Sequence, residues 1–254
     1  MLEIKIISCL NDNYSYIIRD DKTNLVGVVD PSEFAPIDKS ISKDFNKIDF
    51  IFNTHHHLDH VGANIELKNK YNSNIIGSKI DKDKIPGIDI FVGMDDEFKF
   101  GSITFKILFV PGHTKGHIAF FSQNEKLIFT GDTLFSLGCG RIFEGTYKDM
   151  FNSLNQIKCL PKDTKIYCGH EYTANNIKFC AKYDFNNKDL IKKLGWINER
   201  LDKKLPTIPT TIEDELKTNI FLRCDNSDIK NNLKMSNSSD ELIFEKLRNL
   251  KDQF

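Results

Sequence analysis

The stretch THHHLDH, residues 54–60, contains four of the seven histidines in this 254-residue chain, together with one aspartate. It directly follows IDFIFN, residues 48–53, an almost continuous apolar run that is typical of a strand covered on both faces. Layered α/β folds build their sites at the carboxyl ends of such strands. The position of the histidine cluster therefore predicts a functional site at one edge of a buried sheet.

The spacing within the cluster sends its side chains in two directions. Alternate side chains of an extended segment share a side, so His55 and His57 point together and His56 points away. Asp59 lies near the start of a helix predicted for residues 63–71, where free backbone N–H groups favour a carboxylate. Because the chain turns there, the cluster can hold two adjacent ions. The metal ligands predicted from this stretch are His55, His57, Asp59 and His60.

Three later segments each place one more candidate ligand just past an apolar strand. His113 follows ITFKILFV, Asp132 follows KLIF, and His170 follows TKIY. A glycine beside each of them lets the backbone turn sharply. Five histidines and two aspartates at four strand ends are an improbable coincidence, so we predict that they converge on bound metal. For His56 and His117 we predict structural or supporting roles.

The composition is ordinary for a globular protein, with 40% hydrophobic residues, 28% charged residues and a net charge of −1. This balance gives no electrostatic reason to expect a nucleic-acid or anionic-membrane partner. No apolar run is long enough to cross a bilayer, and the first residues are typical of a strand and not of a signal peptide. Six scattered cysteines without a Cys-x-x-Cys pair suit a reducing compartment. We therefore expect a cytoplasmic monomer.

Two kinds of sequence pattern divide the chain near Tyr172. Before it, apolar strands alternate with helices, which predicts layered sheets and helices. One of these helices is predicted to follow Thr146, which forms a capping pair with Asp149. After Tyr172, four segments carry helical periodicity. We predict an α/β domain at residues 1–172 and a helical domain at residues 173–254.

Longer motifs resemble a known family. THHHLDH matches the His-x-His-x-Asp-His signature of the metallo-β-lactamase superfamily, and PGHT, GDT and GHEY match its remaining ligand motifs in the usual order. Further blocks resemble glyoxalase II, the hydroxyacylglutathione hydrolase family, along essentially the whole chain. These blocks are DNY at 12–14, GDTLFSLGCGRIFEGT at 131–146, CGHEYTANNIKFC at 168–180, NIFLR at 219–223 and KDQF at 251–254.

The resemblance implies an architecture and a pair of metal ions. The fold would be a four-layer αββα metallo-β-lactamase sandwich that carries the catalytic site, with a C-terminal α-helical domain that binds substrate. Imidazole and carboxylate ligands suit zinc, iron or manganese, and two divalent ions per chain are implied, with zinc expected. One ion would bind His55, His57 and His113, the other would bind Asp59, His60 and His170, and Asp132 would bridge them.

The implied reaction is hydrolysis of a glutathione thioester. Two dications about 3.5–4 Å apart lower the pKa of a bridging water, and the resulting hydroxide, held beside Asp59 and Asp132, would attack the thioester carbonyl. A metal ion would stabilise the oxyanion. The chain has no Gly-x-Ser-x-Gly motif, and this reaction needs no serine or cysteine nucleophile. The implied substrate is S-D-lactoylglutathione, which yields D-lactate and glutathione in methylglyoxal detoxification.

Five residues match positions that bind glutathione in this family: Arg141, Phe143, Tyr172, Arg248 and Lys251. Arg248 and Lys251 are three residues apart on the last predicted helix and so share a face, where they suit the carboxylates of glutathione. A capping box of Ser238 with Glu241 is predicted to start that helix. Phe143 stands where some members have tyrosine, so one hydroxyl hydrogen bond to the ligand is missing.

Other functions fit only part of the pattern. A glutathione persulfide dioxygenase would use one iron, which leaves Asp59, His60 and His170 without a role. A β-lactam hydrolase leaves the helical domain unexplained, and the near-neutral charge disfavours an enzyme that processes RNA or DNA. A non-catalytic metal- or glutathione-binding protein would be expected to have lost ligands, whereas every one is present.

Overall fold

The computed structural model describes all residues 1–254, which form fourteen strands and nine α-helices. The strands are β1 (Leu2–Cys9), β2 (Asn13–Asp20), β3 (Val26–Val29), β4 (Phe50–Phe52), β5 (Asn74–Ser78), β6 (Ile90–Val92), β7 (Glu97–Phe100), β8 (Ile103–Phe109), β9 (Ile118–Ser122), β10 (Leu127–Gly131), β11 (Leu134–Phe135), β12 (Gly138–Cys139), β13 (Lys165–Cys168) and β14 (Thr210–Thr211). The helices are α1 (Phe34–Asp44), α2 (Leu58–Val61), α3 (Asn64–Tyr71), α4 (Tyr147–Lys158), α5 (Thr173–Tyr183), α6 (Lys188–Asp202), α7 (Ile212–Thr218), α8 (Ser227–Asn232) and α9 (Asp240–Asp252). None of the helices combines the length and apolar character needed to cross a membrane.

Twelve of the strands form two six-stranded sheets. The first has the order β1-β2-β3-β4-β5-β6, antiparallel from β1 to β3 and parallel from β3 to β6. The second has the order β14-β13-β10-β9-β8-β7, in which β10 and β13 are parallel and the other neighbours are antiparallel. Strands β11 and β12 form a separate hairpin. The four strands that precede the predicted ligands, β4, β8, β10 and β13, are all interior strands, so the ligands lie at the ends of strands in the middle of the strand order.

Strand β2 shows how one segment contributes to two layers. Tyr14, Tyr16 and Ile18 face the space between the sheets, whereas Ile17 faces the helices on the other side. This alternation follows from the two-residue period of a strand. Because side chains on both faces are apolar, β2 is buried on both sides.

Three hydrophobic cores separate four layers. The core between the sheets is aromatic, and Phe52 contacts Phe105 and Phe120 there, with ring centroids 5.7 and 5.3 Å apart. Helices α1 and α3 bury Ile41 and Leu67 against the outer face of the first sheet. Helix α4 and the C-terminal helices cover the outer face of the second sheet. The predicted four-layer αββα sandwich is therefore confirmed.

The C-terminal helical region, α5 to α9, packs on the same core as the second sheet. Phe179 of α5 and Phe244 of α9 belong to one buried cluster with Ile166 of β13. The ring of Phe221 stacks on Phe179, with centroids 5.9 Å apart. The predicted helical region is observed, and the exact division at residue 172 remains a prediction because this core is continuous across it.

Of the two predicted helix N-caps, one is confirmed and the other is wrong. Thr146 caps α4 as predicted: its side chain accepts from the backbone of Asp149, and the Asp149 carboxylate accepts from the backbone of Thr146. The predicted cap of the last helix by Ser238 is wrong. Ser239 is the N-cap of α9 and accepts from the backbone N–H of Leu242. Ser238 still belongs to the preceding turn, since its own N–H donates to the carbonyl of Met235, so the helix begins one residue later.

Candidate metal centre

Four loops bring the predicted ligands to one place at the edge of the sheets. The loop after β4 carries four of them, and the segments after β8, β10 and β13 carry one each. Two glycines permit the close packing of these loops. A Cβ on Gly131, where φ is +46°, would lie 2.3 Å from Oγ1 of Thr54, and a Cβ on Gly169 would lie 2.3 Å from Oδ1 of Asp132. Any side chain at either position would therefore push the loops apart.

Six of the predicted ligands form two groups of three. Within each group the candidate ligand atoms lie within 4.8 Å of one another. The first group is His55, His57 and His113, and the second is Asp59, His60 and His170. The grouping follows the division implied by the resemblance, although the ligand role of each residue remains a prediction.

Asp132 lies between the two groups. Its Oδ2 is 3.4 Å from Nε2 of His113 in the first group and 3.3 Å from Nε2 of His170 in the second. Its Oδ1 is 3.4 Å from Nε2 of His60. A carboxylate in this position can bridge two cations, because each of its oxygens faces a nitrogen of one group or the other.

In three of the histidine rings, a hydrogen bond holds the nitrogen that faces away from the centre, so that the other ring nitrogen directs its lone pair toward the centre. Nδ1 of His113 donates to the carbonyl of Arg141 at 2.7 Å, and Nδ1 of His60 donates to the carboxylate of Asp30 at 3.1 Å. The hydroxyl of Thr54 donates to Asp30, so it accepts from Nδ1 of His55. Because Nδ1 carries the proton in each of these rings, Nε2 presents a lone pair to the centre, as a metal ligand must.

Two buried atoms at the centre lack a hydrogen-bond partner. They are Nε2 of His55 and Oδ1 of Asp132. A buried polar atom without a partner is costly, and cations coordinated by these atoms would remove that cost. The residues present therefore fit divalent metal ions with nitrogen and oxygen ligands.

The pKa values of the histidines differ between the two groups. Burial, followed by repulsion from neighbouring histidines, lowers the pKa of His55 well below its usual value, and the same causes lower the pKa of His57 to about 4. Burial also opposes a charge on His170, yet the carboxylates of Asp132 and Asp59 raise its pKa to about 11. The first group is thus neutral and the second lies in an anionic environment that favours added positive charge.

Two further residues support the centre: His117, for which a structural or supporting role was predicted, and Asp30, which was not predicted from the sequence. Nε2 of His117 accepts from the backbone N–H of Asp132 at 3.1 Å, and its ring stacks on His55 with centroids 4.7 Å apart. Asp30 lies directly after β3 and bonds both Thr54 and His60. The criterion that identified the ligands, an acidic or histidine residue at a strand end, would also have found Asp30.

His56 points away from the centre, in agreement with the alternation argument. Its Nδ1 lies 3.1 Å from the fully buried carboxylate of Asp81, and its Nε2 lies 3.4 Å from Glu144. Lys84 donates to the same Glu144 at 2.9 Å. This network joins the histidine loop to the segment that carries Phe143.

A cavity of about 940 Å³ opens beside the metal centre. Its floor includes His57, Asp59, His113, Asp132 and His170. All five predicted substrate-binding residues line its walls: Arg141, Phe143, Tyr172, Arg248 and Lys251. The volume is within the usual range for a ligand site, roughly 300–1,000 Å³.

The carboxylate of Asp252 pairs with both arginines of this cavity. Asp252 accepts from Nε of Arg141 at 3.1 Å and from Nη2 of Arg248 at 3.0 Å. Nη1 of Arg248 also donates to the carbonyl of Cys139 at 2.8 Å. The ammonium of Lys251 has no hydrogen-bond partner, and burial together with the charge of Arg248 lowers its pKa to about 8. Lys251 therefore has a free donor group for an anionic ligand.

Two aromatic residues connect the cavity walls to the metal centre. Tyr172 stacks on His170 with centroids 4.7 Å apart, and burial raises the pKa of its hydroxyl, which therefore remains a proton donor. The ring of Phe143 is 61% exposed and meets His57 and His113 edge-on at 5.7 and 5.3 Å. Phe143 offers the cavity an apolar surface without a polar group.

Comparison with known proteins agrees with this geometry. Residues 11–170 match the family model of the metallo-beta-lactamase superfamily, and residues 171–254 match the model of the hydroxyacylglutathione hydrolase C-terminus. The chain is 53% identical to the hydroxyacylglutathione hydrolase of Pelagibacter ubique over 253 residues, which cover 100% of both proteins. It is 43% identical to the hydroxyacylglutathione hydrolase of Brucella ovis, covering 100% of this chain and 98% of that protein.

Solved structures share the fold at low sequence identity. ETHE1 from Myxococcus xanthus has a TM-score of 0.69 at 22% identity, covering 98% of this chain and 91% of that one. The BLEG-1 B3 metallo-beta-lactamase has a TM-score of 0.66 at 20% identity, covering 87% of this chain and 99% of that one.

The sandwich and its histidine-aspartate centre define a protein of the metallo-β-lactamase superfamily. Within that superfamily, the chain belongs to the hydroxyacylglutathione hydrolase, or glyoxalase II, family. The predicted enzyme class, a hydrolase that binds divalent metal, is thereby confirmed.

Proposed function

We propose that the protein hydrolyses S-(2-hydroxyacyl)glutathione, in particular S-D-lactoylglutathione, to glutathione and a 2-hydroxy acid, as in methylglyoxal detoxification. One observation carries this proposal: five of the seven ligand-type side chains of the centre line the floor of a cavity whose wall holds Arg248 and Lys251. A hydrolytic centre beside cationic side chains suits a glutathione thioester, because the cations can bind the carboxylates of the glutathione moiety.

Two divalent ions per chain, zinc first and iron or manganese as alternatives, form part of the proposal. His55, His57 and His113 would hold one ion, and Asp59, His60 and His170 the other, with Asp132 between them. Such a pair supplies an activated water nucleophile and stabilises the developing oxyanion of the thioester. The chain orients three of the imidazoles through hydrogen bonds on the nitrogens that face away from the centre.

The remaining cavity residues bind and orient the substrate in this proposal. Arg248 and Lys251 bind the glycine carboxylate of glutathione, and Arg141 adds a third cation. The hydroxyl of Tyr172 donates a hydrogen bond, while Phe143 packs its ring against the ligand. Residues 1–172 thus supply catalysis and three of the five substrate contacts, and residues 173–254 supply the two cations Arg248 and Lys251.

We further propose a cytoplasmic monomer without a nucleic-acid or membrane partner, as expected from the net charge of −1. Sedimentation analysis checks this part separately. A stable dimer at micromolar concentration would contradict the monomer without affecting the proposed reaction.

The direct test is a thioester assay with the metal-loaded protein. We expect loss of the thioester absorbance of S-D-lactoylglutathione together with release of free thiol. The thiol leaves readily because its pKa is about 8.5. Inertness toward this substrate, combined with efficient cleavage of a β-lactam or another non-glutathione substrate, would contradict the proposal.

A glutathione persulfide dioxygenase is the second candidate, and the shared fold with ETHE1 is the observation that favours it. Such an enzyme would consume oxygen with glutathione persulfide, so an oxygen electrode separates the two reactions. The complete second group of ligands argues for the hydrolase. A non-catalytic binding protein would retain metal and glutathione but show no turnover in either assay.

A further inference from the structure

Residues 10–13, which comprise the turn between β1 and β2 and the first residue of β2, contact one ligand group and not the other; they are called the turn below. The carboxylate of Asp12 accepts from Nδ1 of His170 at 2.8 Å. The side-chain amide of Asn13 donates to Oδ2 of Asp59 at 3.0 Å and to its carbonyl at 3.1 Å. His170 and Asp59 both belong to the second group. No hydrogen bond joins the turn to the first group.

Backbone pairing holds this turn against the loop that carries His170. Asn13 and His170 form an antiparallel β-bridge. The N–H of Tyr14 donates to the carbonyl of Gly169, and the N–H of Glu171 donates to the carbonyl of Asp12, both at 2.8 Å. The turn therefore keeps a constant position relative to the second group.

The side chains of the turn determine how two ligands face the centre. Because Asp12 holds Nδ1 of His170, Nε2 is the nitrogen that faces the centre, 3.3 Å from Nε2 of His60. The side-chain amide of Asn13 donates to Oδ2 of Asp59. The same oxygen lies 3.4 Å from Nε2 of His170. A carboxylate on the outer nitrogen also makes an imidazole a stronger ligand.

The first group has different support. His55 is bonded to the hydroxyl of Thr54, and His113 to the backbone carbonyl of Arg141. Asp30 does not distinguish the groups, because it supports Thr54 beside the first and His60 in the second. Asp12 and Asn13 thus hydrogen-bond the ligand side chains of the second group, at His170 and Asp59, and of no residue in the first group.

We propose that Asp12 and Asn13 are positioning residues that selectively control retention of the second metal ion. This inference rests on the proposed two-ion centre. Loss of such an outer contact typically lowers metal affinity about 10–100-fold. The first ion keeps all of its ligands and their partners, so its affinity is unchanged.

The experiment measures bound metal per chain in Asp12→Ala and Asn13→Ala during dialysis against buffers of graded free zinc. The wild type is expected to retain two ions, and each variant one, until free zinc is raised about 10–100-fold. Asp21→Ala is the matched control, since Asp21 is an exposed aspartate at the other end of β2 that pairs with the N-terminus. It is expected to behave as the wild type.

A second pair of variants covers the case in which alanine disturbs folding. Asp12→Asn keeps the shape and removes the charge, and Asp12→Glu restores the carboxylate and is expected to recover part of the affinity. Circular dichroism of the metal-free proteins shows whether each variant is folded. The same zinc titration with Asp12→Asn is expected to show selective loss of one ion.

Two results would overturn the inference while leaving the two-ion centre intact: both ions lost together, or both retained with wild-type affinity in every folded variant. A wild type that binds a single ion at saturating zinc would contradict the two-ion centre itself, and the inference with it. The metal readout does not depend on turnover, so the two failures are distinguishable.

Discussion

The floor and the wall of the cavity are built in opposite ways. On the floor, His113 and Asp132 are 4% and 6% exposed, and they follow the interior strands β8 and β10. On the wall, the side chain of Arg141 is 55% exposed, and its only carboxylate partner is Asp252. The floor is buried, whereas the wall combines the exposed Arg141 with the buried Arg248. We therefore expect floor residues to control the chemical step and wall residues to control substrate affinity.

The largest effect is expected from Asp132→Asn on the floor. The substitution keeps the shape but removes the negative charge between the two ligand groups, so turnover should be abolished even at saturating metal. The measurement is kcat with S-D-lactoylglutathione. Asp163→Asn, which changes an exposed aspartate paired with Lys126, should leave kcat unchanged. Turnover near the wild-type rate in Asp132→Asn would show that the floor is not the reacting centre.

On the wall, Arg248→Ala should mainly raise KM. Loss of a hydrogen bond to a charged group costs about 1.5–3 kcal/mol, which corresponds to a rise in KM of roughly 10–100-fold. The effect on kcat should be smaller because the contact is remote from the carbonyl. Lys246→Ala, an exposed position on the same helix, is the control. An unchanged KM would remove Arg248 from the substrate site.

The pH profile of kcat/KM tests Lys251. Burial and Arg248 lower the pKa of this ammonium to about 8, so it is charged below that pH and neutral above it. Between pH 7 and 9 its protonated fraction falls, so we expect kcat/KM to decrease by up to roughly tenfold as the carboxylate loses this partner. Lys251→Arg keeps the charge throughout and should flatten the decrease. The same decrease in that variant would exclude Lys251 as its source.

The smallest effect is expected from Phe143→Tyr, which adds a hydroxyl to the exposed ring. One neutral hydrogen bond is worth about 0.5–1.5 kcal/mol, so KM should fall about 2–10-fold while kcat is unchanged. Phe143→Leu is the matched variant, since it removes the ring without adding a polar group. A KM that does not fall in Phe143→Tyr would mean that this position makes no polar contact with the substrate.

Much of the site was predictable because its pattern is local. His55 and His57 alternate with His56 as an extended chain requires, and Asp59 falls in the first turn of α2. The strand-end rule found the seven ligand candidates, and it applies equally to Asp30. The start of α9 was misplaced by one residue, because Ser238 and Ser239 offer the same hydroxyl and the preceding turn selects between them.

The layered fold and the seven candidate ligands were predictable from the sequence, because strand period and strand ends are properties of short segments. The partners that hold these candidates were not predictable, because they come from distant parts of the chain. Asp12 meets His170 across 158 residues of chain, and Arg141 meets Asp252 across 111. No short-range periodicity encodes such contacts. They arise from the packing of the two sheets and the last helix, which brings distant carboxylates and cations within hydrogen-bonding distance.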